Sequence, residues 1–161
     1  MTTNTIALVT GVSSGIGWET ARLLAERGAR TFGTVRDLRR ANPIARVELV
    51  AMDVNDEMSV TDAVGSVLGK AGKIDILINN AGYSLAGGLE GTSLTEAQQL
   101  FETNFFGVLR VTQAVLPSMR QKWSRPHRKH QFNARCSAGA LPRDLRREQT
   151  CARGLYGNVG S

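Results

Sequence analysis

Thr10-Gly11-Val12-Ser13-Ser14-Gly15-Ile16-Gly17 decides the reading of this chain. It follows the β-branched run Thr5-Ile6-Ala7-Leu8-Val9 and precedes a segment, residues 15–27, with Ile16, Thr20, Leu23 and Leu24 at helical spacing. A strand that turns into a helix through glycines brings backbone N–H groups and the positive end of a helix dipole to one point, which suits a pyrophosphate. Ser13 and Ser14 add hydroxyl donors. The competing reading is a plain Gly/Ser turn; the strand before it, the helix after it and the spacing together favour the phosphate.

Working outward, residues 29–35 and 47–52 predict a second and third strand, residues 56–68 a second helix, and residues 74–78 a fourth strand. Gly28 suits the end of the first helix. Ser93 with Glu96 three residues later predicts a capping box, opening one long helix through Leu100, Phe101, Phe105, Val108, Val111 and Val115 towards Met119. Pro117 is expected to kink that helix or end it early. Trp18 is expected to pack. Strand–helix alternation with short connections predicts an α/β fold, a Rossmann-like doubly wound parallel sheet truncated after about four strands.

The motifs beyond the turn resemble the classical short-chain dehydrogenase/reductase family. Gly-x-x-x-Gly-x-Gly stands after the first strand, Asp53-Val54 at the end of the third, Asn79-Asn80-Ala81-Gly82 after the fourth, and Asn104 lies in Thr103-Asn104-Phe105-Phe106-Gly107. The resemblance covers about residues 5–121 and implies a dinucleotide cofactor with hydride transfer to or from an alcohol or carbonyl carbon. It implies that Gly11, Ser13, Ser14, Gly15, Ile16 and Gly17 hold the pyrophosphate and that Asp53 and Val54 meet the adenine. Asn80, Ala81 and Gly82 would line the ribose side, and Asn104 belongs to the catalytic tetrad. Taken singly, Asp53 is equally a strand-end turn residue, Asn79 to Gly82 a turn, and Asn104 a helix residue bonded to nearby backbone. Arg36, after the second strand, stands where an acidic residue would bind a ribose 2′-OH; a guanidinium there pairs with a 2′-phosphate, so NADP is expected over NAD. Asp37 follows it, and Arg39 and Arg40 add charge; an exposed basic loop is the plainer alternative. Tyr83, Ser84 and Leu85 would border the substrate. The intact parent would be a homo-oligomer, with the long helix between subunits.

The family's Ser and Tyr-x-x-x-Lys are absent: Gly87 follows Tyr83 by four and Gly160 follows Tyr156 by four. The chain as written therefore reads as a catalytically inactive, dinucleotide-binding fragment of an oxidoreductase. Composition breaks at the same place. The 161 residues carry a net charge of +6, yet residues 1–120 hold 11 Lys/Arg against 12 Asp/Glu, a net of −1. Residues 121–161 hold 9 against 2, a net of +7, with both His, both Cys and no Ile or Met. The chain is thus expected to divide into a dinucleotide-binding part, 1–121, and a basic tail, 122–161, for which disorder is the expectation.

Read one nucleotide later, the tail changes character. Codons for Arg125 to Asn133 chosen as CGG CCG CAT CGT AAA CAT CAG TTC AAC give Gly-Arg-Ile-Val-Asn-Ile-Ser-Ser. Codons for Asp144 to Cys151 chosen as GAT CTA CGC CGC GAG CAA ACA TGC give Ile-Tyr-Ala-Ala-Ser-Lys-His. The order and the separation of Ser, Tyr and Lys are those the family requires. The expectation is a frameshifted translation from about Lys122 onward.

Other classes are weaker. His127-x-x-His130 with Cys136 and Cys151 fits no common zinc spacing, and the tail has no nucleic-acid reading motif despite its charge. No run approaches the ~20 apolar residues of a membrane span, residues 1–10 lack a signal peptide's basic start, and two cysteines suit a reducing cytoplasm. The fourth strand would have an open edge without a fifth, which favours aggregation and a marginal, poorly soluble product.

Overall fold

The computed structural model describes residues 5–85 and 89–121. The basic segment 122–161, with its His/Cys group and the shifted motifs, lies outside the described residues. Four strands form one parallel sheet: β1 (Ile6–Val9), β2 (Arg30–Val35), β3 (Val47–Ala51) and β4 (Ile76–Ile78), in the order β3-β2-β1-β4. Ile6 pairs with Arg30 and Ala7 with both Thr31 and Ile76, so β1 is central. All of β1 is buried, as a strand covered on both faces must be. On its outer side β4 has no neighbouring strand among the described residues.

The period-two alternation of the strands sorts side chains between two helical layers. Ile6, Leu8, Phe32 and Val50 face α2 (Glu57–Ala71) and α4 (Gly107–Gln121), meeting Val60, Val64, Val67, Val111 and Val115. Val9 and Val35 face α1 (Gly15–Glu26), where Ala21 is buried and Trp18 and Leu24 pack at the margin. Trp18 thus packs as expected. The inward face of α1 differs from the expected one: it is Gly17, Ala21 and Ala25, whereas Ile16 is 74% and Leu23 38% exposed. Small residues one turn apart let the helix lie close to the sheet, and that gain outweighs burial of the larger side chains.

Local rules explain the helix ends. Asp56 caps α2 by accepting from the N–H groups of Met58 and Ser59, and left-handed Gly72 closes it. The Ser93/Glu96 capping box opens α3 (Leu94–Phe101). The expected single long helix is interrupted, however: Glu102–Phe106 forms a π-helical turn before α4. Pro117 neither ends the helix nor starts its last segment, since α4 runs through it to Gln121. It sits on the exposed side near the helix end, and the Ser118 hydroxyl donates to the Val115 carbonyl in that turn.

Candidate functional site

Parallel strands deliver all their C-terminal ends to one edge of the sheet, and ligands of such folds bind there. Here that edge carries Thr10-Gly11, Arg36, Asp53 and Asn79-Asn80, around a cleft of about 470 Å³, within the range of small-molecule sites. Gly11, Ser13, Ser14, Ile16, Arg36, Asp53, Val54, Asn80, Ala81, Gly82 and Asn104 all line it. Gly15 and Gly17 do not.

The turn after β1 is held from beneath. The Thr10 hydroxyl accepts from the N–H groups of Asn80 and Ala81, both at 2.9 Å. The Asn80 side-chain amide donates to the carbonyls of Thr10 (3.1 Å) and Gly11 (2.9 Å). Asn80 therefore clamps the turn to the end of β4. Gly11 has φ +69°, and a Cβ there would stand 2.7 Å from Ala81 Cα. Gly17 is a packing residue: a Cβ would stand 2.2 Å from Asn80 Nδ2 and 2.4 Å from the Gly11 oxygen. Above this clamp α1 begins. Its cap residue Ser14 makes no capping hydrogen bond, and its first turn holds no acidic residue. The N–H groups and two exposed hydroxyls at this end suit an anion.

The basic loop after β2 divides its charges. Asp37 accepts from the Arg39 backbone at 3.0 Å and from its guanidinium at 3.1 Å, with Arg40 at 3.8 Å. The Arg39 guanidinium, then its N–H, hold the Asp37 carboxyl below the usual carboxylate range. Asp37, Arg39 and Arg40 thus form their own turn away from the cleft wall. Arg36 lines the cleft, and no hydrogen-bond or ion-pair partner for it lies among the described residues.

Across the cleft, the Asp53 N–H donates to Ser59 Oγ and its carboxylate accepts from the Asn55 N–H, both at 3.0 Å, while Val54 is buried. Asn104 sits in the π-turn and bonds both backbone groups of Tyr83: the Tyr83 N–H donates to Oδ1 at 3.0 Å, and Nδ2 donates to the Tyr83 oxygen at 2.7 Å. Its side chain fixes the wall. Of the three residues expected to border the substrate, Tyr83 and Ser84 line the cleft and Leu85 does not. On the described wall Tyr83 is the one tyrosine and there is no lysine.

Several structural contributors were given no role by sequence reasoning: Thr34, Asn55 and Thr112 were not singled out, and Thr10, Asn79 and Thr103 stood only as parts of motifs. Thr10 and Thr34 are buried hydroxyls at strand ends, and Thr34 Oγ1 lies 3.4 Å from the Gly11 nitrogen. Asn55 donates to Thr103 Oγ1 at 3.0 Å, and Asn79 to Thr112 Oγ1 at 3.2 Å. Only the folded sheet brings these pairs together. Among the described residues no His/Cys/Asp/Glu group could hold a metal, and no helix is long and apolar enough to cross a membrane.

Comparison with known proteins agrees with this arrangement. The family model described as short chain dehydrogenase matches residues 5–125. A 3-ketodihydrosphingosine reductase of Bacteroides thetaiotaomicron is 41% identical over 116 residues, which span 72% of this chain and 42% of the relative. Retinol dehydrogenase 8 of Bos taurus is 38% identical over 127 residues, spanning 71% and 40%. The chain thus spans about two fifths of the length of these curated relatives. Among solved structures, a short-chain dehydrogenase from Streptomyces avermitilis superposes with a TM-score of 0.68 at 35% identity, covering 73% of this chain and 46% of that one. A variant of actinorhodin polyketide ketoreductase, solved with NADPH, gives 0.67 at 29%, covering 75% and 49%.

Proposed function

The chain belongs to the short chain dehydrogenase family, and from that premise we propose that its cleft binds NADP(H). The observation that carries the reading is the opposition of two anion-binding features around one cleft. One is the uncapped start of α1 beside Gly11, and the other is the cleft-side Arg36, whose neighbour Asp37 is occupied by Arg39. The donor set fits the group. Gly11, Ser13, Ser14, Ile16 and the N–H groups around Gly15 and Gly17 would hold the pyrophosphate. Arg36 would pair with the 2′-phosphate, Asp53 and Val54 would border the adenine, and Asn80, Ala81 and Gly82 the ribose. NAD would lose the Arg36 pairing.

When bound, the nicotinamide exchanges a hydride with an alcohol or carbonyl carbon. That activity is proposed for the intact parent protein. The 161-residue chain has no Tyr-x-x-x-Lys to carry the accompanying proton, so its own role is dinucleotide binding without turnover. Asn104 would act in the parent, holding Tyr83 and the cleft wall in place. The parent would be cytoplasmic and a homo-oligomer; the assembly is supported by exposed Phe101 and Phe105 on the α3/π-turn surface. We attribute the change of composition after Gln121 to a one-nucleotide frame shift near the codons for Gln121 to Trp123.

Calorimetric titration of the purified chain tests the binding. NADPH should bind more tightly than NADH, and Arg36→Ala should weaken NADPH by about tenfold, the loss of one charged contact, while leaving NADH within twofold. Equal affinity for both nucleotides would remove the 2′-phosphate role, and turnover of an alcohol or carbonyl by this chain would refute the inactivity. Sequencing the transcript across codons 119–125 tests the frame: the tail confirmed as printed would refute the shift.

A further inference from the structure

The cleft has two walls from separate parts of the sequence, residues 53–55 after β3 and residues 79–83 after β4, and both are tied to the π-turn Glu102–Phe106. Asn104 binds the backbone of Tyr83 on one side. On the other, Asn55 Nδ2 donates to Thr103 Oγ1 at 3.0 Å, and Arg110 Nη1 donates to the Val54 carbonyl at 3.1 Å. The second terminal nitrogen of Arg110 is paired with Glu102, the first residue of the π-turn. One guanidinium therefore spans the turn from its first residue to α4 and reaches the loop beside the cleft as well. The start of α4 lies tight against the same loop, since a Cβ on Gly107 would stand 2.8 Å from Val54 Cγ2.

We propose that Arg110 is a positioning residue of the dinucleotide cleft: held by Glu102 across the π-turn, it fixes the Val54 carbonyl and so sets the 53–55 wall against the wall carried by Asn104. This rests on the reading of the cleft given above. An arginine suits the task because its planar fork serves two acceptors in fixed directions, whereas a lysine presents one compact charge. The ion pair is partly exposed, with side chains 27% and 42% accessible for Arg110 and Glu102. Pairs so placed add little to global stability, so the consequence belongs in the geometry of the cleft more than in the folding midpoint. A π-turn is a rare departure from the α-helix that is frequently found at functional sites. Here its first residue, Glu102, and the following Thr103 and Asn104 are each bonded to something outside the regular ladder.

The test uses the full 161-residue chain and the variants Arg110→Met, Arg110→Lys and Glu102→Gln. It reads NADPH and adenosine 2′,5′-bisphosphate affinity by calorimetry, amide hydrogen exchange over residues 79–85 and 102–106, and the urea midpoint. Arg110→Met should weaken both ligands by about tenfold and speed exchange at the Tyr83 amide. Arg110→Lys should recover less than half of that loss. Glu102→Gln should show part of it, and the Glu102→Gln/Arg110→Met double variant no more than Arg110→Met alone, because both act through one contact. Ligand affinity within twofold together with unchanged exchange in Arg110→Met would overturn the proposal. If Arg110→Met does not fold, Glu102→Gln decides by the same two readings. If the unaltered chain binds neither nucleotide, the cofactor reading fails, while faster or unchanged Tyr83 exchange in the variants still decides the role of Arg110.

Discussion

Gly17→Ala and Gly65→Ala are the same substitution on two helices of one chain, and the structure gives them opposite signs. Gly65 lies inside α2 with nothing within 4 Å of an added Cβ. Alanine there gains helix propensity and removes unfolded-chain freedom, a stabilisation of about 0.5–1 kcal/mol. Gly17 in α1 has the same propensity to gain, but its Cβ would stand 2.2 Å from Asn80 Nδ2 and 2.4 Å from the Gly11 carbonyl oxygen. Asn80 would have to leave, and with it the hydrogen bonds to Thr10 and Gly11. Two such bonds are worth about 1 kcal/mol each, and forcing a Cβ against backbone adds roughly 1–3 kcal/mol. After subtracting the helix gain, Gly17→Ala should cost about 2–4 kcal/mol. Urea midpoints at constant slope measure both variants, and calorimetry with NADPH should show the affinity of Gly17→Ala falling with the displaced turn. Adding Asn80→Ala removes one of the two obstructions and leaves the Gly11 oxygen, so the double variant should recover only part of the loss. A neutral or stabilising Gly17→Ala would refute the claim that Asn80 and α1 are packed through this glycine.

Two further outcomes follow from local features. Arg46 sits before β3 at φ +62°, where a side chain costs about 1–2 kcal/mol. Arg46→Gly should therefore stabilise the fold by a net ~0.5–1 kcal/mol once the entropy of glycine is subtracted, read as a higher urea midpoint at constant slope. The Glu96 carboxyl is held below its ordinary 4.5 by the Ser93 hydroxyl first and the Ser93 N–H second. Its stabilising effect is thus fully present above pH 4.5 and lost as pH falls through the lowered value. Relative to Ser93→Ala, the unaltered chain should be the more stable at pH 6 and lose part of that advantage as pH falls below about 4.5, keeping the share that comes from the Glu96 N–H bond to the Ser93 hydroxyl; an advantage that grew in acid would contradict the capping box.

The parallel strand–helix alternation and the strand ends that carry the site were legible because they rest on local signals: β-branched runs, helical spacing and glycines at strand ends. Gly11, Arg36, Asp53 and Asn80 were legible for the same reason, since each stands just after a strand, whereas Asn104, in the π-turn, was legible only through the family motif. What sequence reasoning lost was decided by contacts between distant segments. The π-turn is the clearest case. Residues 93–119 carry an unbroken helical pattern, and nothing local marks Glu102 to Phe106; the turn coincides with bonds from Asn104 to Tyr83 and from Arg110 to Val54, 21 and 56 residues away. The buried stripe of α1 was misjudged because apolar spacing weighs large side chains, whereas the close approach to the sheet selects Gly17, Ala21 and Ala25.

The basic charge and the outer edge of β4 meet under one explanation. Ile76–Ile78 is only half-buried at the outer side of a sheet whose central strand is fully buried. An apolar parallel strand of this kind reads as the neighbour of another strand. A net charge of +6 on its own points to an acidic partner, yet residues 1–120 are close to neutral and the excess begins at Gln121. In the shifted frame that same segment supplies an apolar β-branched run ending in serines, followed by Tyr-x-x-x-Lys, which is the kind of strand the β4 edge would accept. Arginine-rich text is what GC-rich coding sequence tends to give out of frame. The frame-shift proposal therefore makes a joint demand. A repaired reading frame must remove the positive charge, cover β4 and bring a tyrosine and a lysine to the cleft together; a repaired chain that gained turnover without improved solubility would separate the edge from the missing strand and break the argument.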